Sequence, residues 1–266
     1  MVSDSTIQHT ASDDGTEIGY TVRGEGPPLV ITHGSVSTIP QWEPVIEELS
    51  KTFTCYIYDR RGRGFSADSQ HYSMDKEVAD LQAVLEVAGP GALQLAHSYG
   101  ALIALHHALK HGVDTRLILF EPPLNLERLV AGEALETYRE AIAAGDNDRA
   151  MRVALENMVD VPAEAVKEIS QSPLWPQLVE LAPTWTREFE VIDGLGFDHS
   201  RFADLPAEKV HLLVGSQTTP MLAAATRKLK ELLPAAGVTD MEGLDHFSHA
   251  TAPTELAAHV VDAAQK

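Results

Sequence analysis

The chain has 266 residues, 44% hydrophobic and 22% charged, an ordinary balance for a globular protein able to bury one substantial core with an inserted subdomain. Its formal net charge of −19 would repel both a nucleic-acid backbone and an anionic membrane, so neither is expected as a partner. A lone cysteine, Cys55, excludes an internal disulfide and a cysteine-based metal cluster; with no basic leader and no run of about 18 apolar residues, a cytoplasmic protein is predicted.

The first elements are two strands within TIQHTASDDGTEIGYTVRG, joined at Asp13, Asp14 and Gly15, residues that tolerate the positive φ of a tight hairpin. PLVITHG is a continuous apolar run, as a strand buried on both faces requires. A helix over QWEPVIEELSK, a buried strand over TFTCYIYD and the glycine-rich loop RRGRGFS follow. SMDKEVADLQAVLEVAG then places Val78, Leu81, Val84, Leu85 and Val87 at helical spacing and stops at Gly89. ALQLAHS and RLILFEPP are two further strands, separated by a helix that opens at Ser98. Strand and helix in alternation predict a parallel sheet with right-handed crossovers.

Alternation breaks after Pro123. Residues 124–204 hold only helical stretches, and alternation resumes with KVHLLVG, MLAAATRKLKELLP, GVTDMEG and PTELAAHVVDAAQK. The chain is therefore expected to form a core from residues 1–123 and 205–266 with a helical cap, or lid, at 124–204.

Ser98 stands where a strand becomes a helix, with Ala96 and Gly100 two residues to either side. A nucleophile elbow holds its serine in a strained backbone and tolerates only small flanking residues. Serine needs a base, and twelve histidines are available. His246 lies between the last predicted strand and the last helix, His249 is a neighbouring alternative, and His106, His107 and His111 read as packed or solvated.

The segments THGS, YDRRGRGFS, AHSYG, LLVG and LDHFSHATAP, in that order over nearly the whole chain, resemble the α/β-hydrolase superfamily. The resemblance implies an α/β-hydrolase fold, a mostly parallel central sheet flanked by helices. In it Ser98 would be the nucleophile, His246 the base and then acid, and the backbone N–H groups of Ser35 and Tyr99 the oxyanion hole. Most members carry an aspartate three residues beyond the glycine of the LLVG segment, where this chain has Thr218. Glu121, ending LILFE, is the expected acid instead, as in a minority of the superfamily. The alternatives for Glu121 are a pair with Arg116 or solvation. Asp59 and Arg60 would tie loops together near the site.

Serine at the elbow, where dehalogenases and epoxide hydrolases of this fold carry aspartate, points to acyl chemistry on a hydrophobic ester or lactone. A carbon–carbon hydrolase, an acyltransferase or a non-catalytic binding protein are the other readings. Trp42, Trp175 and Trp185 are expected either to line an apolar substrate pocket or to pack the core. DRRGRGFS lacks the order of a phosphate-binding loop and no zinc-ligand spacing occurs, so neither cofactor nor metal is expected.

Overall fold

The alternating buried strands and amphipathic helices assemble into one eight-stranded sheet in a computed structural model that describes residues 6–266. The chain runs through β1 (Gln8–Ala11), β2 (Glu17–Arg23), β3 (Pro28–Thr32), α1 (Ile39–Leu49), β4 (Thr54–Tyr58), α2 (Met74–Ala88), β5 (Leu93–His97), α3 (Tyr99–His111) and β6 (Leu117–Phe120). Helices α4 (Ala134–Ala143), α5 (Asn147–Val153), α6 (Ala163–Ile169) and α7 (Trp175–Gly194) follow. The last elements are β7 (Val210–Gly215), α8 (Pro220–Leu232), β8 (Gly237–Met241), the single turn α9 (Ser248–Thr251) and α10 (Pro253–Gln265).

Strand order across the sheet is β1-β2-β4-β3-β5-β6-β7-β8. The β1–β2 hairpin is antiparallel, with Gln8 opposite Tyr20, and β2 meets β4 antiparallel. Every other pairing is parallel, which is why β3, β5, β6 and β7 are apolar on both faces. On one face α1 and α10 bury Trp42, Ile46, Leu49, Leu256 and Val260 against Leu29, Ile31 and Ile118. On the other, α2, α3 and α8 pack Val78, Leu81, Leu102, Leu105 and Leu229 in a cluster continuous with the interior of α4–α7.

Local chemistry sets the boundaries that aim the site. Helix α2 begins where the Ser73 hydroxyl accepts from the Lys76 N–H and ends at Gly89, with φ 86°. Between β6 and β7 the described residues contain helices but no strand. One turn there, Ala154–Met158, is π-helical, with the Val159 N–H donating to the Ala154 carbonyl at 3.0 Å.

Candidate active site

Ser98 joins β5 to α3 with φ 53° and ψ −125°, a conformation that costs an L-residue about 1–3 kcal/mol. Three features hold it there. Its N–H donates to the Phe120 carbonyl on β6 at 2.8 Å, and Ala96 is fully buried between Thr32 and Leu119 on the neighbouring strands. A Cβ at Gly100 would overlap the carbonyl oxygens of Thr32 and His33, so only glycine lets α3 leave the sheet so abruptly. Four non-glycine residues have positive φ among those described, and Ser98, Glu121 and Val36 beside Ser35 are three of them. Backbone strain is concentrated around one point of the sheet.

Glu121 directly follows β6 and is fully buried. Its Oε2 lies 2.6 Å from His246 Nδ1, and its Oε1 accepts from the Gly215 N–H at 2.8 Å. A carboxylate can only accept, so Nδ1 carries the proton and Nε2 is left with a lone pair. The last residue of β7, three residues before the Thr218 that replaces the usual aspartate, thus contributes a backbone amide that holds the carboxylate rather than a carboxylate of its own. Gly215 is required at that crossing because a Cβ would overlap the Leu244 carbonyl. No bond joins Glu121 to Arg116.

Two more imidazoles surround His246. His97 donates from Nε2 to the His246 carbonyl at 3.0 Å, with ring centroids 4.5 Å apart. His249 stacks on Trp42 at 5.0 Å. Burial, with His246 next in importance, holds His97 well below the ordinary histidine range and His249 down to about 3. Both therefore stay neutral, and neither competes with His246 for a proton. His97 escaped the sequence reading, although its place beside Ser98 in AHSYG was a usable signal.

Ser98, His246 and Ser35 open onto one cavity of ≈ 160 Å³, lined on its far side by Met151, Leu155, Val159, Leu178, Trp185 and Phe189 from the helices between β6 and β7. Among the described residues no Asp, Glu, Lys or Arg lines it. The Tyr99 N–H opens the first turn of α3, where helical amides have no intrahelical acceptor. Among the three tryptophans expected at the pocket, Trp185 alone lines it. Trp42 is fully buried in the α1–α10 core because it shares the sheet-facing side of α1 with Val45, Ile46 and Leu49. Trp175 links helices instead, its Nε1 donating to Asp148 at 2.7 Å and its ring lying 5.1 Å under the Arg152 guanidinium. Among the described residues no cluster of three or more His, Cys, Asp or Glu could hold a metal ion, and no helix is long and apolar enough to cross a membrane.

This fold, with a strained serine at a strand-to-helix turn, defines an α/β-hydrolase. A model of the alpha/beta hydrolase family matches residues 29–259, and the chain belongs to that family. An alpha/beta hydrolase from Sphaerobacter thermophilus is similar in structure, at 30% identity and a TM-score of 0.85 over 96% of this chain and 99% of that one. The 2-(acetamidomethylene)succinate hydrolase of Mesorhizobium japonicum is 23% identical over 262 residues, 95% of this chain and 93% of its own. A pimeloyl-(acyl-carrier protein) methyl ester esterase of Vibrio vulnificus is 35% identical over 96 residues, 36% of each chain.

Proposed function

We propose that the protein is a serine hydrolase that cleaves a carboxylic ester or lactone of a medium-sized, uncharged, hydrophobic substrate through an acyl-enzyme. Ser98 Oγ bonds to the acyl carbon as its proton passes to His246 Nε2, and the carbonyl oxygen becomes an oxyanion facing the N–H groups of Ser35 and Tyr99. The imidazolium then protonates the departing alcohol, or the ring oxygen of a lactone. Water, deprotonated by the same imidazole, releases the acid and restores Ser98. Glu121 holds the Nδ1 proton in place and stabilises the imidazolium.

The observation that carries this reading is the 2.6 Å contact of Glu121 with a histidine that shares its cavity with Ser98. The substrate class follows from the walls: a carboxylate in a cavity without Lys or Arg would be buried unpaired. That counts against a dicarboxylate of the kind the Mesorhizobium relative is named for. Helices α4–α7 act as the lid that encloses the acyl group.

A panel of p-nitrophenyl esters of increasing chain length, together with neutral lactones, tests the assignment. Neutral acyl groups of intermediate length are expected to turn over fastest, with activity lost in Ser98→Ala. A preference for anionic acyl groups, or binding of such compounds with no turnover, would contradict it.

A further inference from the structure

A buried charge cluster runs from the helices between β6 and β7 to the loop after β3. Glu188, on α7, is flanked by the cavity-lining Trp185, Phe189 and Ile192 but does not itself line the cavity. Its Oε1 accepts from Arg60 Nη2 at 2.9 Å and from Arg63 Nη2. Arg60 also binds Glu77, through Nε at 3.1 Å and Nη2 at 2.6 Å, and the side chains of all four residues are 0% exposed.

The remaining arm of Arg60 is the informative one. Nη1 donates to the Gly34 carbonyl at 3.1 Å, sharing that oxygen with His33 Nδ1 at 2.9 Å, and the carbonyl belongs to the same rigid peptide plane as the Ser35 N–H. Fixing the carbonyl fixes the direction of the N–H, and a guanidinium on the oxygen polarises the peptide towards stronger donation. The Arg60 guanidinium also lies 4.6 Å over the ring of Tyr99, whose N–H is the second expected donor. One side chain thus braces both halves of the proposed oxyanion hole.

The cluster is not arranged for stability alone. Buried ion pairs rarely stabilise a fold more than apolar packing of equal volume, and here Nε and Nη1 of Arg63 and Oε2 of Glu188 have no hydrogen-bond partner among the described residues. Burial alone would raise the Glu188 carboxyl, but the guanidiniums of Arg60 and Arg63, helped by the Ser35 hydroxyl, outweigh it and keep the group ionised.

We propose that Glu188 is a positioning residue: through Arg60 it orients the Gly34–Ser35 peptide, so that the oxyanion hole is complete only when α7 is docked on the sheet domain. This rests on the hydrolase reading and on Ser35 as a donor within it. The lid and the chemistry are then coupled by charge as well as by covering the cavity.

Glu188→Gln tests the coupling, with Glu190→Gln as the comparison, a change on the same helix α7 that removes an exposed pair to Arg139 of α4. For Glu188→Gln we expect kcat on a neutral ester to fall roughly 10- to 100-fold with KM changed less than about threefold. The ratio of ester to thionoester rates should also fall, because sulfur gains little from N–H donors, and amide hydrogen exchange at residues 33–37 should accelerate. Glu190→Gln should move none of these. If Glu188→Gln fails to fold, Arg63→Met combined with Glu188→Gln removes the unpaired guanidinium and still cuts the tie to Arg60. Unchanged turnover and exchange would overturn the proposal. So would equal losses on ester and thionoester that track a lowered Tm, the signature of a merely structural role. A wild type inert to every ester would sink the hydrolase reading instead, and exchange at residues 33–37 would still decide whether Glu188 holds the loop.

Discussion

Glu121 and Glu188 are both fully buried carboxylates, one directly after a sheet strand and the other on a helix between β6 and β7, and their neighbours give them different work. Glu121 faces an imidazole, whose proton can leave and return within a reaction cycle. Glu188 faces two guanidiniums, which hold their protons throughout. Burial by itself therefore assigns no role to an acid. The first group suits proton transfer through its partner, and the second suits fixed geometry.

The same chemical change at the two positions separates them. Removing the nucleophile sets the scale: Ser98→Ala should lower turnover on neutral esters by on the order of 10⁴ or more, measured as kcat against a background of solvent hydrolysis. Glu121→Gln should approach that loss, roughly 10³- to 10⁴-fold, because an amide offers Nδ1–H no charge and favours the wrong tautomer. Its effect should exceed that of Glu188→Gln by at least about tenfold; equal effects would erase the distinction drawn between the two carboxylates.

A smaller effect probes the helices between β6 and β7. Leu155 projects into the cavity from the π-helical turn, and Leu155→Phe should shorten the favoured acyl chain. The kcat/KM for the longest accepted ester should drop about tenfold, the range expected for a misfit of one or two methylenes, with the shortest esters unaffected. A uniform loss across chain lengths would place Leu155 in the support of the fold instead.

The weakest expected effect concerns pH and stability. Burial lowers His249 to about 3 and both His106 and His107 to about 4, so the folded state resists protons that the unfolded chain accepts near 6.5. Their stabilisation is complete above pH 6.5 and is lost as pH falls towards 4, by up to about 1.4 kcal/mol per unit for each fully buried ring. Asp80 and Asp59 work in the opposite sense, since burial pushes both carboxyls up, Asp80 to about 6, but these are two groups against the three histidines above together with His33, His97 and His211, which burial also lowers. Thermal unfolding at pH 7 and pH 4.5 should show the loss. In His249→Phe, which keeps a ring against Trp42, the drop between the two pH values should be shallower.

Much of the core was legible because its signals are local. Ser98 sits between two small residues at a change of hydrophobic period, and Glu121 ends an apolar run where an unpaired charge could not remain. Spacing after the last strand favours His246 over its neighbour His249 in the sequence, and the contact with Glu121 belongs to His246. Trp42 and Trp175 show where periodicity stops informing. An aromatic on the apolar face of a helix reads alike whether a sheet, a neighbouring helix or a cavity lies opposite. The Glu188 cluster was invisible for a related reason: its partners lie 125 and 128 residues away in the chain, and only the packing of α7 brings them together. The π-helical turn left no mark either, because a shift of one residue in backbone pairing requires no particular composition.

The central claim, that Ser98 is made reactive by His246 held through Glu121, is tested most directly by the rate at which a fluorophosphonate modifies Ser98, followed by mass spectrometry of the intact protein and its peptides. Modification should be rapid and confined to Ser98, abolished in His246→Ala, strongly slowed in Glu121→Gln and intact in His249→Phe. Modification of His246→Ala at the wild-type rate, or of another residue in place of Ser98, would contradict it.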